Sequence, residues 1–193
     1  MNRSWIVLVV GCALLAGCGS PPKERYYTLS APEAAAGAGA AKAAFTVAVG
    51  PVTVPAMVDR DEIVLRIDPN RVEVNEFNRW AEPLKRAIPR AVAARLAQQL
   101  ADARVTVYPA GGGDVDYRVL IDVERFDSEP GKAVTVEASW WVRRGAAKEA
   151  RAGRSVVRES ASGAGYDPLV AAHSRALDSI AREIAEGLRT MSR

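Results

Sequence analysis

The sequence predicts an α+β protein, an antiparallel β-sheet with two α-helices packed on one face. Three observations carry this. From residue 116 to 160, apolar side chains alternate with polar ones, which is the period of half-buried strands. Two other stretches, opening near Pro83 and at Asp167, repeat Leu, Ile and Val every three or four residues, the period of a helix with one apolar face. The order of strands, helix, strands and helix lacks the regular alternation of a parallel α/β fold.

Taken in chain order, Arg25-Tyr26-Tyr27-Thr28-Leu29 is a β-prone island between a Pro-containing stretch and the Ala/Gly-rich residues 31–44. It is open whether the island belongs to a long tail or pairs with the body as a first strand. Adjacent tyrosines favour pairing, since a free tether would leave their aromatic surface exposed. Phe45 to Val49 alternates as a strand, Gly50-Pro51 is expected to break it, and Glu62 to Ile67 forms the next one. Val72-Glu73-Val74 follows the Asp68-Pro69-Asn70 turn.

The first helix is expected from about Pro83 to Asp102, with Leu84, Ile88, Val92, Leu96 and Leu100 on its buried face. Pro89 either kinks this helix or marks its true start. Strands are then expected near Arg104 to Tyr108, Asp116 to Phe126, Ala133 to Arg143 and Arg154 to Ser160, with a turn at Glu129-Pro130-Gly131. Asp167-Pro168 suits an N-cap and first turn, and the second helix should run to about Arg189. Its stripe is Leu169, His173, Leu177, Ile180, Ile184 and Leu188.

The N-terminus carries the most specific signal. Arg3 precedes an apolar run from Trp5 to Leu15, too short for the roughly 20 residues that span a bilayer as a helix. Leu15-Ala16-Gly17-Cys18 then resembles a bacterial lipobox. Residues 1–17 are therefore expected to be a signal peptide cleaved between Gly17 and Cys18. Residues 18–24 form the acylated Cys and its tether, and 25–193 the periplasmic domain. Three acyl chains, at about 0.8 kcal/mol per buried methylene, hold a chain on a membrane far better than one.

With two Cys and one His in 193 residues, a Cys/His zinc site, a disulfide framework and a Cys–His or Ser–His hydrolase are all disfavoured. No catalytic residue, metal ligand or cofactor is assigned. The 26 basic side chains nearly balance the 23 acidic ones, so no bulk attraction to nucleic acid is expected. Gly111-Gly112-Gly113 lacks the Lys-Ser/Thr of a phosphate loop and reads as a turn.

His173, on an apolar stripe without a Ser–carboxylate pattern around it, reads as a core histidine. Trp140 reads as core, and its neighbour Trp141 must point to the opposite side of the sheet, either half-covered or as a contact residue. Trp80, beside Arg79, is either a packed aromatic at the helix entry or an interface anchor. Arg143, Arg144, Lys148, Arg151 and Arg154 are either a solvated hairpin or a surface for anionic headgroups or an acidic partner.

Several stretches in order resemble the PqiC/YmbA family of transport auxiliary lipoproteins. These are the lipobox at Cys18, Tyr26-Tyr27-Thr28-Leu29, Val49-Gly50-Pro51-Val52 leading to Val58-Asp59-Arg60, Glu62-Ile63-Val64, and Arg79-Trp80-Ala81-Glu82-Pro83-Leu84. The chain departs at Asp61-Glu62, where the family often carries Pro-Gln. The resemblance implies a non-enzymatic lipoprotein on the periplasmic face of the outer membrane, an address that Gly19 after the Cys also suits.

It further implies an MCE-domain tunnel protein (PqiB-like), with its inner-membrane component, as partner, and a homo-oligomer. The role expected is docking that tunnel for intermembrane lipid transport and envelope integrity. The alternative is an assembly lipoprotein that escorts an outer-membrane protein. The candidate interface residues are Tyr26, Tyr27, Arg79, Trp80 and Trp141.

Overall fold

The computed structural model describes residues 23–30, 43–109, 114–145 and 149–192. The expected signal segment, Gly17, Cys18, the tether before Lys23, most of the Ala/Gly stretch 31–44, the Gly111-Gly112-Gly113 turn and Lys148 lie outside them. Eight strands and two helices follow one another: β1 (Arg25–Tyr27), β2 (Phe45–Thr53), β3 (Glu62–Asp68), β4 (Arg71–Trp80), α1 (Leu84–Gln99), β5 (Ala103–Val107), β6 (Tyr117–Glu129), β7 (Ala133–Arg144), β8 (Ala150–Ser160) and α2 (Asp167–Met191).

The class is α+β, built on two mixed sheets in place of the single antiparallel sheet expected. The larger has the order β5-β2-β6-β7-β8 and the smaller β1-β4-β3. The meander β6-β7-β8 is antiparallel, but β2 runs parallel to β5 on one side and to β6 on the other. The reason is the connection. The chain leaves β2, builds β3 and β4, and returns over α1, and such a crossover delivers the next strand parallel to the first.

The island question is resolved by β1, which pairs in parallel with β4 through Arg25↔Asn78, Tyr26↔Arg79 and Tyr27↔Trp80. Gly50-Pro51 does not end β2. Gly50 adopts φ 116°, open to glycine and strained for other residues, and the strand continues with its register to β6 shifted between Val49 and Val52.

Both helices lie on one face of the larger sheet, α1 over β2 and β5, α2 over β7 and β8, and they pack against each other. Arg86 and Ala87 donate to the carbonyl of Pro83, the N-cap of α1, and the helix runs on through Pro89, which is buried inside it. Leu84, Ile88, Val92, Leu96 and Leu100 are all buried, as are the six stripe residues of α2. The α2 N-cap is Tyr166, with no side-chain cap bond. Asp167 stands instead in the first turn, where a carboxylate complements the helix dipole.

Trp140 locks α2 to the sheet. Its indole lies across Gly153 of β8 and under Gly187 of α2, and its Nε1 donates to Ser155 Oγ at 3.1 Å. Only glycine leaves room at 153, since an ideal Cβ there would stand 2.2 Å from Trp140 Cζ2.

Candidate functional site

The five candidate interface residues separate into three environments. On β1 and β4, strand alternation turns Tyr26 and Arg79 to one face and Tyr27 and Trp80 to the other. Tyr26 is 59% exposed, and its hydroxyl donates to Glu24, whose carboxylate raises the phenol pKa above its ordinary value. Arg79 is half-buried and bridges Asp61 at 3.1 Å and Glu62 at 3.6 Å. The hydrogen bond to Asp61 raises its pKa further. Asp61 and Glu62 are thus the residues that hold Arg79.

Tyr27 is half-buried, stacks at a tilt against Tyr166 with ring centroids 5.8 Å apart, and donates to Asn78 Oδ1 at 3.1 Å. Trp80 is only 5% exposed and belongs to the core, the packed alternative of its two readings, which takes it out of the candidate interface set. Its indole meets Phe126 and His173 edge-on at 6.1 and 6.2 Å, and Phe126 stacks on the His173 ring at 3.9 Å.

His173 is a core histidine, as expected. Its Nε2 lies 2.8 Å from Ser128 Oγ, and its Nδ1 has no hydrogen-bond partner among the described residues. Complete burial lowers its pKa to about 3, against a smaller upward pull from Asp127. Asp127 is itself buried, which raises its carboxyl pKa, but hydrogen bonds from Arg66 and Arg125 outweigh that and leave it below the ordinary value. Arg66 of β3 holds both carboxylate oxygens, at 2.7 and 3.1 Å, and so fastens the small sheet to β6.

One residue missing from the expected set fixes the N-terminal segment. Arg95 points from the apolar side of α1 and is 4% exposed. Its Nη2 donates to the carbonyls of Ser30 and Ser174, at 2.6 and 2.9 Å, and its Nη1 to Ala91 at 3.0 Å. Asp178 stands 3.7 Å from its Nε, beyond hydrogen-bond length. Burial pulls the guanidinium pKa below its ordinary value, with Asp178 opposing. Ser30 N also donates to Ser174 Oγ at 3.1 Å, so the segment leading out of β1 is clasped between the two helices.

Trp141 lies on the other sheet, away from the β1 cluster, on the face turned from the helices. Its cross-strand partners there are Leu120 and Ala152. The arginines around the β7–β8 hairpin, read either as solvated or as a binding surface, are divided. Arg154 pairs with Glu124 and Glu137, Arg144 with Glu149, and Arg151 alternates to the other face from Arg143.

Among the described residues no group of His, Cys, Asp and Glu could hold a metal, and no helix is long and apolar enough to cross a membrane. The arrangement defines a class: an α+β domain whose first strand is clasped into the body only a few residues downstream of a lipobox-like Cys. The fold is shared with solved structures. One, a crystal structure of an uncharacterized protein, superposes at TM-score 0.72 with 18% identity, covering 86% of this chain and 99% of that one. A Xanthomonas campestris protein of the DUF330 family superposes at 0.65 with 17% identity and the same coverages. At these identities the likeness speaks for the fold alone, and no curated protein matches the chain. The family is settled by sequence: a model of the ABC-type transport auxiliary lipoprotein component matches residues 27–185, and the chain belongs to that family.

Proposed function

We propose that this chain is the outer-membrane lipoprotein subunit of an MCE-type lipid transport system. It docks the periplasm-spanning tunnel at the outer membrane and contributes to intermembrane lipid transport and envelope integrity. The observation that carries the reading is the family match over residues 27–185, in a chain whose lipobox ends five residues before the described structure begins. Five residues reach at most about 18 Å, so an acylated Cys18 would hold the β1 end of the domain close to the bilayer.

The reading assigns no catalysis to the chain. Acyl chains supply attachment, the clasp at Ser30 carries it into the body, and the exposed surfaces supply contact with the tunnel protein and with further copies of the chain. Metabolic labelling with palmitate tests the anchor: label is expected on the wild-type chain and absent from Cys18→Ala. Label that persists in Cys18→Ala would refute the anchor. Affinity capture of the acylated protein should recover an MCE-domain protein, and capture without one refutes the docking.

A further inference from the structure

We propose that the outer face of the large sheet carries a binding site for the phosphate of an anionic phospholipid, made by Arg118 and Arg143 above the apolar pair Leu120 and Trp141. The register places Arg118 directly opposite Arg143 on neighbouring strands, with Leu120 opposite Trp141 as the next pair on the same face. Directly opposed side chains stand about 4.5–5.5 Å apart at Cβ, and like charges in that position repel.

Elsewhere on this face arginines are neutralised. Arg154 bonds Glu137 at 3.0 Å, Arg158 bonds Glu129 at 2.6 Å and Arg125 bridges both Asp127 and Glu137. Arg118 and Arg143 have no carboxylate partner among the described residues. Arg118 lies over the Tyr108 ring, 4.6 Å from its centroid, a contact that uses the face of the guanidinium and not its N–H groups.

The two arginines, Tyr108 and Leu120 line a surface cavity of about 640 Å³ with Pro51 and Asp114. Asp114 is the one carboxylate in that lining, so two guanidinium groups leave the site net positive. A phosphate accepts from paired guanidinium forks and removes their repulsion. The apolar step beneath, at Leu120 and Trp141, meets a ligand that carries hydrocarbon next to its phosphate. A phospholipid has both, and inorganic phosphate has only the first.

The inference stands on the sheet face and does not need the docking reading. Failure here leaves the Cys18 labelling and the tunnel capture untouched, and their failure leaves this site standing. The purified full chain, held in dodecyl maltoside, is titrated with dihexanoylphosphatidic acid and, separately, with inorganic phosphate, following tryptophan emission. Trp80 and Trp140 are buried, and Trp5 belongs to the segment expected to be cleaved before Cys18, so in the processed chain the change should come from Trp141 and vanish in Trp141→Phe.

Saturable binding of the lipid is expected, weakened at least tenfold in the Arg118→Ala/Arg143→Ala double variant and measurably in Arg143→Gln, which keeps the side-chain length nearer to wild type. Equal binding by wild type and variants, equal affinity for inorganic phosphate, or no saturable change in wild type would each overturn the site.

Discussion

Arg95 offers a test of whether the N-terminal segment is held as the structure shows. In Arg95→Ala the carbonyls of Ser30 and Ser174 both lose their charged donor, at 2.6 and 2.9 Å. A hydrogen bond to a charged group contributes about 1.5–3 kcal/mol, so the two together supply about 3–6. Part of that is offset because the variant no longer buries a guanidinium, a cost visible in the lowered Arg95 pKa. The net expected loss is about 2–4 kcal/mol, which at about 2 kcal/mol per molar urea lowers the unfolding midpoint by roughly 1–2 M. The loss should also be local. Hydrogen exchange at the Tyr27 amide should accelerate more than at Val136 in the middle of the large sheet, because the clasp holds β1 and leaves β7 alone. Arg95→Lys should recover less than half of the loss, since an ammonium lacks the planar fork that spans two carbonyls. A midpoint within 0.2 M of wild type in Arg95→Ala, with unchanged exchange at Tyr27, would refute the clasp.

The other stability predictions concern the core. His173 is buried neutral with its pKa lowered from 6.5 to about 3. The unfolded chain therefore binds a proton that the folded chain does not between those values. The stabilisation is complete above pH 6.5 and falls as pH drops toward 3, by up to about 1.4 kcal/mol per unit. Urea stability measured from pH 7 to pH 5 should decline more steeply in wild type than in His173→Gln, and parallel curves would contradict the assignment. Gly153→Ala forces a Cβ to 2.2 Å from Trp140 Cζ2, while the far edge of the indole is already confined by Gly187. It should cost about 1–3 kcal/mol or more and red-shift Trp140 emission, and should exceed the cost of Gly187→Ala, where the new contact is 3.2 Å. Equal costs at the two glycines would show that the indole has room to move.

Both helix faces were legible because α1 and α2 repeat large apolar residues at the helical period, and packing simply follows that pattern. Strand alternation likewise told which side chains face the helices, but alternation names a face and never a neighbour, so the parallel partners of β2 were not readable from it. Trp80 was readable both as packed and as a surface candidate because its sequence neighbours Arg79 and Glu82 are charged. Arg79 is neutralised across the sheet by Asp61 and Glu62, and alternation turns the indole inward. Arg95 left a signal that was available: it follows Val92 by three positions and precedes Leu96, so it falls on the buried stripe. The Arg118–Arg143 pair left none. A bulge between Val123 and Arg125 shifts the β6–β7 register by one residue, and without it Arg118 would face Arg144.

The two ends of the molecule acquire different roles once α2 is used as a ruler. Its 25 residues extend about 37 Å. At its N-terminal end Tyr166 stacks on Tyr27, four residues beyond Lys23, where the described chain begins. At its C-terminal end the Met191 carbonyl accepts from the Tyr117 hydroxyl at 3.0 Å, next to Arg118. Lys23, where the described chain begins, and the arginine pair therefore stand toward opposite ends of α2. Five residues of about 3.3–3.6 Å each cannot bridge that distance, so a chain anchored at Cys18 with α2 upright holds Arg118 and Arg143 away from its own bilayer. A phospholipid bound there in that orientation would be one in transit through the periplasm. It would not belong to the anchoring membrane, and on the docking reading proposed above the arginine pair would face the tunnel protein.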